Sequence, residues 1–181
     1  MYYDKDIIMT GYAADYGAAV IAGRFYDELI VRLPVSLINR TIEYSEKKYE
    51  APNSDSIKDY ADYVWKISDG GVFKALRDMS DNYGTGISVW LDKISIRQET
   101  IEICEVYDIN PYMLNGTGAS LIISEHGNEL VRSLQGKGIH AAIIGHTTNN
   151  NDKIIINNNE IRYLESRIVD ELGKLNHKGD A

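Results

Sequence analysis

The run WKISDGGVFKALRDMSD, from Trp65 to Asp81, constrains the fold most, because two backbone periods meet in it across a short turn. Tyr63 to Ile67 reads as the end of a strand, Ser68-Asp69-Gly70-Gly71 as a tight polar turn, and the rest as an amphipathic helix. In that helix Val72, Ala75, Leu76 and Met79 recur at helical spacing, with Lys74, Arg77 and Asp78 on the other face. Ser68 or Asp69 is placed to cap the helix, and two glycines let the backbone turn sharply with its first N–H groups exposed. Such groups favour an anion, so the turn could hold a phosphate. The same turn without a ligand is an ordinary cap, and the residues alone leave both readings open.

The flanking sequence supplies the rest of a sheet and its helices. DIIMT (6–10) is an apolar run ended by Gly11 and reads as a strand. Tyr16 to Leu33 suits a helix with Ala19, Ile21, Ala22, Phe25 and Leu29 inward, broken by Pro34. Val35 to Tyr49 is a second helix, poorer in apolar residues, followed by a loop over 50–56 in which Ser54 or Ser56 caps a short helix. ISVWL (87–91) is a strand, and Ile101, Ile103, Cys104 and Tyr107 give a helical stripe in an element ended by Pro111. ASLIIS is a nearly continuous buried strand, residues 126–136 form a helix, and IHAAIIGHT (139–147) forms another apolar strand. Lys153 to Asn157 and Glu160 to Leu164 read as a hairpin turning on Asn158-Asn159, with a last helix over 165–175 and a frayed end. The irregular alternation and the hairpin predict an α+β domain with a mixed, largely antiparallel sheet. Residues 1–181 are read as one such domain.

Composition narrows the functional classes. A net charge of −8 argues against a general nucleic-acid binder. No apolar run reaches the length of a membrane span and the N-terminus lacks a secretory signature, so a cytoplasmic location is expected. The single cysteine, Cys104, excludes an internal disulfide and a cysteine-based metal cluster, and its place on an apolar stripe marks it as a core residue. His126, His140, His146 and His177 have no metal-ligand spacing. No catalytic residue and no metal site is assigned. A second glycine turn, Asn115-Gly116-Thr117-Gly118, precedes the buried strand, and beside the first turn it would complete one anion pocket. Alone, it is a turn chosen for its backbone shape.

Three stretches in order, SDGGVFKALRDMSDNYGTGISV, IRQETIEICEVYDINPYMLNGTGASLIIS and IHAAIIGHTT with its hairpin, resemble the C-terminal domain of the AIR synthase-related superfamily. That group includes AIR synthase, FGAM synthase, selenophosphate synthetase, thiamine-phosphate kinase and HypE. The wording IRQETIEIC and DINPYML is most similar to HypE-like hydrogenase expression/formation proteins, and DIIMTGYAADYGAAVIA resembles the strand and helix that open the domain. The resemblance covers about residues 6–165. It implies an ATP- and Mg2+-dependent protein whose N-terminal domain supplies the acidic metal ligands and most of the nucleotide site. This chain would contribute Ser68, Asp69, Gly70, Gly71, Asn115, Gly116, Thr117 and Gly118 as phosphate-facing turns. The N-terminal domain is expected to be absent here and supplied in cis or trans. No tightly held cofactor and no turnover are expected of this domain alone.

The sequence departs from the family pattern in two places. An acidic pair usually precedes the glycine turn, whereas this chain has Trp65 and Lys66, and a lysine cannot hold a metal. HypE-like proteins end in a cysteine that carries a carbamoyl group, whereas this sequence ends Lys178-Gly179-Asp180-Ala181, so that role is not carried over. The alternative is therefore a free-standing, non-catalytic binding or assembly module with the same fold. Apolar surface left by an absent partner domain would favour a homodimer.

Overall fold

A computed structural model describes residues 3–46 and 57–175. Its first strand, β1 (Asp6–Thr10), lies inside a seven-stranded sheet, third in order from one edge. The other strands are β2 (Tyr63–Lys66), β3 (Gly86–Trp90), β4 (Ser120–Ser124), β5 (Ala141–Thr148), β6 (Lys153–Asn157) and β7 (Glu160–Tyr163). Their order is β2-β4-β1-β5-β3-β6-β7, and every neighbouring pair is antiparallel except β3 with β6. The expected mixed, largely antiparallel α+β sheet is the observed one.

Strand periodicity divides the sheet into two apolar faces. Ile7, Met9, Leu121 and Ile123 point to one side, where they meet Val72, Leu76 and Met79 of helix α4 (Gly71–Tyr83; α1–α3 are given below). Ile8 and Ile122 point to the other, against Leu130 and Leu134 of α6 (Gly127–Gly136). A third cluster lies among α1 (Asp15–Arg24), α3 (Val35–Glu46) and α5 (Gln98–Tyr107), where Ile21, Ile38 and Ile103 are fully buried. Alternation at period two explains why one strand serves two helical layers. β4 is buried at every position, as its unbroken apolar run implies.

Three expectations are corrected. The helix expected over Tyr16–Leu33 is two helices, α1 and a short α2 (Tyr26–Leu29), with a break at Phe25, whose φ is −115° and ψ 31°. Phe25 packs on Tyr107 at 5.3 Å between ring centroids and Leu29 is fully buried, so packing on α5 overrides continuous helix. Pro111 does not end α5. That helix stops at Asp108, in the left-handed conformation at φ 54°, and Pro111 instead starts a 3-10 turn whose Asn110 side chain accepts from the Tyr112 N–H at 3.0 Å. The last helix, expected over 165–175, is only a 3-10 turn at Glu171–Leu175. Upstream of it the carbonyls of Leu164 and Glu165 accept from Arg77, and Ile168 packs against the sheet core, so tertiary contacts replace intrahelical bonds.

The hairpin turns as expected, with Asn158 at φ 53°. The end of the helix expected to Tyr49, the 50–56 loop with its caps, and the C-terminal tail from residue 176 lie outside the described residues. Among the described residues no helix is long and apolar enough to cross a membrane.

His140 sits just before β5, stacked on Tyr12 at 4.3 Å, with its Nε2 2.8 Å from Ser95 Oγ. Burial, with Arg97 nearby, lowers its pKa below the usual 6.5. In the unfolded chain the imidazole therefore gains its proton at higher pH than in the folded one, and the unfolded state binds more protons in that window. Stability should accordingly fall as pH drops through about 6.5 and below. The check is a histidine NMR titration together with urea unfolding of wild type and His140→Gln, in which the variant loses this part of the pH dependence.

Candidate functional site

Helix α4 begins at Gly71 because Gly70 and Gly71 both hold left-handed backbone, at φ 81° and 65°. Gly71 has a second reason to lack a side chain. A Cβ there would lie 2.6 Å from the carbonyl oxygens of both Tyr112 and Leu114. The turn before α4 is thus pressed onto the backbone that leads into the second turn. The Gly116 N–H donates to the Ser68 carbonyl at 3.2 Å, which ties the two turns by main chain.

Asn115 ties them by side chain. Its Nδ2 donates to Asp69 Oδ1 at 2.5 Å, while its Oδ1 accepts from the Thr117 N–H at 2.9 Å and the Thr117 hydroxyl at 2.7 Å. Its own carbonyl takes the Gly17 N–H at 2.9 Å, which joins the second turn to α1. Gly118, at φ 101°, then lets the chain enter β4. The eight residues Ser68–Gly71 and Asn115–Gly118 form one rim, with Ser68, Asp69 and Thr117 exposed and the glycines at 70, 71 and 116 buried.

Neither Ser68 nor Asp69 caps α4 with its side chain, contrary to expectation. The Asp69 carboxylate is drawn to Asn115, and Ser68 contributes its carbonyl, which accepts from the Gly71 N–H at 3.1 Å. The first turn of a helix leaves N–H groups with no intrahelical acceptor, here those of Val72 and Phe73. The Lys74 stem lies over Gly70, as a Cβ at Gly70 would be 2.5 Å from Lys74 Cδ, and the Lys74 ammonium pairs with Asp78.

Beside the rim, Phe73 and Tyr112 stack at 5.0 Å and border a cavity of about 320 Å³ that reaches Leu164 and Ile168. Burial, with Asp92 nearby, raises the Tyr112 phenol above its usual pKa. Cys104 is 1% exposed, and burial next to Glu171 pushes its thiol up to about 12. A thiol so held is inert, as its core position implies. Trp65 stacks with Tyr63 on β2, and Lys66 is exposed at the strand's end.

Two groups escaped the sequence. Asp170 donates nothing but accepts from the Gly70 N–H at 2.7 Å, from 100 residues away, and no local pattern announces such a contact. Asp15, 3% exposed, holds Arg97 at 2.8 Å and Thr100 at 3.1 Å, while the Arg97 guanidinium lies 3.8 Å from the Tyr12 ring and 4.4 Å from that of Tyr44. An acidic residue in the alanine-rich first turn of α1 was the available signal for this second group.

The fold is similar to that of HypE and thiamine-monophosphate kinase structures, the AIR synthase-related fold. The chain aligns with E. coli HypE, a hydrogenase maturation protein, at a TM-score of 0.71 and 16% identity, covering 94% of this chain and 51% of that one. A structure of HypE in complex with ATP matches at a TM-score of 0.67 and 14% identity, over 94% of this chain and 52% of that one. By sequence the chain is 28% identical over 157 residues to a protein of Methanocaldococcus jannaschii provisionally named a hydrogenase expression/formation protein, covering 83% of this chain and 44% of that protein. A thiamine-monophosphate kinase structure from Stenotrophomonas maltophilia K279a shares the fold at a TM-score of 0.62 and 12% identity, over 86% of this chain and 50% of that one. The chain spans about half the length of the proteins it matches. No protein-family profile matches it.

Proposed function

We propose that the chain is the domain of a HypE-like protein of hydrogenase maturation that presents two glycine turns to the phosphates of ATP, in a cleft completed by an N-terminal domain. The observation that carries this reading is the Asn115 side chain, which links Asp69 to Thr117 and so makes one rim of two turns far apart in sequence. Backbone N–H groups at the start of α4 supply the positive end of a helix dipole to a phosphate oxygen. Asp69, as a carboxylate, repels phosphate, and its part is to position Asn115. The lysine stem over Gly70 places a cation one turn along the helix. Catalysis by phosphoryl transfer needs metal-held phosphates, and the Mg2+ ligands in this reading come from the other domain. The chain alone then binds nucleotide weakly and does not turn it over.

The likeness to HypE in complex with ATP supports the choice of nucleotide. Amide NMR of the chain with added ATP tests it. Shift changes centred on 68–73, 115–118 and the 165–172 segment bonded to Gly70 are expected, and none at millimolar ATP, or changes only elsewhere, would refute it. A non-catalytic module is the second reading, favoured by Trp65-Lys66 before the turn. Tight binding of a maturation partner by a chain that gives no ATP-dependent shifts would select it.

A further inference from the structure

The segment between β7 and the last 3-10 turn crosses the rim and puts an anion on it. Asp170 Oδ2 accepts from the Gly70 N–H at 2.7 Å, and Oδ1 of the same carboxylate accepts from the Leu172 N–H at 2.8 Å. Both oxygens are therefore fixed, one by the turn and one by the segment's own backbone. An anionic oxygen accepting from a backbone N–H at a helix start is also what a phosphate oxygen would be in this place. The two cannot share one N–H, and their like charges oppose simultaneous occupancy.

The segment is fixed at its ends, and between them Ile168 alone of residues 166–170 packs on the sheet core. Arg77 donates to the carbonyls of Leu164 at 3.5 Å and Glu165 at 2.9 Å, and Leu175 is 1% exposed within the cluster of α1, α3 and α5. Between these points Val169 is 59% exposed, and cavities of about 320 and 540 Å³ flank the chain, the second bordered by Arg167, Asp170 and Lys174. A carboxylate there can leave the turn while both ends of the segment stay in place.

We infer that Asp170 is a built-in competitor for the anion position of the Ser68–Gly71 turn, so that the stretch around Asp170 must lift off Gly70 for a polyphosphate to seat. The inference rests on the phosphate-binding reading above and adds a closed state to it. Apparent affinity in such a system is reduced by the fraction of molecules in which the turn is open.

Calorimetric titration of inorganic tripolyphosphate into the full chain tests this, with Asp170→Ala and Asp170→Asn beside wild type. Asp170→Ala should bind about tenfold more tightly or better, since it loses a charge-assisted bond that closes the turn. Asp170→Asn retains an acceptor but no charge and should fall between. Hydrogen exchange over 165–172 in wild type should quicken when tripolyphosphate is added. Equal affinities in folded wild type and variants would make Asp170 a mere helix cap and overturn the inference, while leaving the phosphate reading intact. Failure of all three folded proteins to bind would overturn both. If Asp170→Ala does not fold, the comparison of Asp170→Asn with wild type decides by the same signs.

Discussion

Gly71→Ala should destabilise the protein by on the order of 3 kcal/mol or more and remove whatever anion affinity the rim has. Two separate costs combine. Left-handed backbone costs a residue with a Cβ roughly 1–2 kcal/mol, and Gly71 has φ 65°. The added methyl would also lie 2.6 Å from two carbonyl oxygens, of Tyr112 and Leu114, and backbone cannot rotate away as a side chain can. Relief would require the second turn to move off the first and break the Gly116–Ser68 bond. Urea unfolding measures the first effect. Gly23→Ala is the control, because a Cβ at Gly23 in α1 meets nothing within 4 Å and alanine is the better helix former, so it should be neutral or slightly stabilising. Equal midpoints for the two variants would show that the rim is not held as described.

Asp15→Ala should cost on the order of 3 kcal/mol, the lower end of the penalty for breaking a buried charge pair, because Asp15 is buried but Arg97 is a quarter exposed. It removes the carboxylate that accepts from Arg97 Nε at 2.8 Å and from the fully buried Thr100 hydroxyl at 3.1 Å. Arg97 lies against both Tyr12 and Tyr44, so the loss would loosen the join between the loop after β1, α3 and the start of α5. Asp15→Asn keeps shape and one acceptor and should cost clearly less. Arg97→Lys should not rescue function of the pair, since an ammonium can neither fork to a carboxylate nor stack flat on two rings. Thermal unfolding of the three variants is the measurement, and a loss below about 1 kcal/mol for Asp15→Ala would show that the pair contributes little.

What could be read from residues alone follows a physical division. Strand positions, the turn at Asn158 and the amphipathic helix after Gly71 are set by local period and by left-handed backbone, and both are written in sequence. The adjacency of the two glycine turns is not local, and only a likeness to a known family put them side by side in advance. The structure supplies the physical reason in Asn115, whose amide serves both turns. Failures came where distant groups outbid local ones. Residues 165–170 carry a helical pattern, yet Arg77 takes the carbonyls of Leu164 and Glu165 and Gly70 takes the Asp170 carboxylate. Ser68 and Asp69 look like caps, yet Asn115, 46 residues from Asp69, holds the carboxylate instead.

The interior place of β1 has a consequence for how the chain is made. It is synthesised well before its partners β4 and β5, which follow it in the chain by more than a hundred residues. Until Ser124 has been synthesised, Ile7, Ile8 and Met9 lack the two strands that flank them in the finished sheet, so their pairing waits while more than a hundred residues are added. Assembly of the sheet is therefore set by non-local pairing, and the apolar strand made earliest of the seven waits longest to be enclosed.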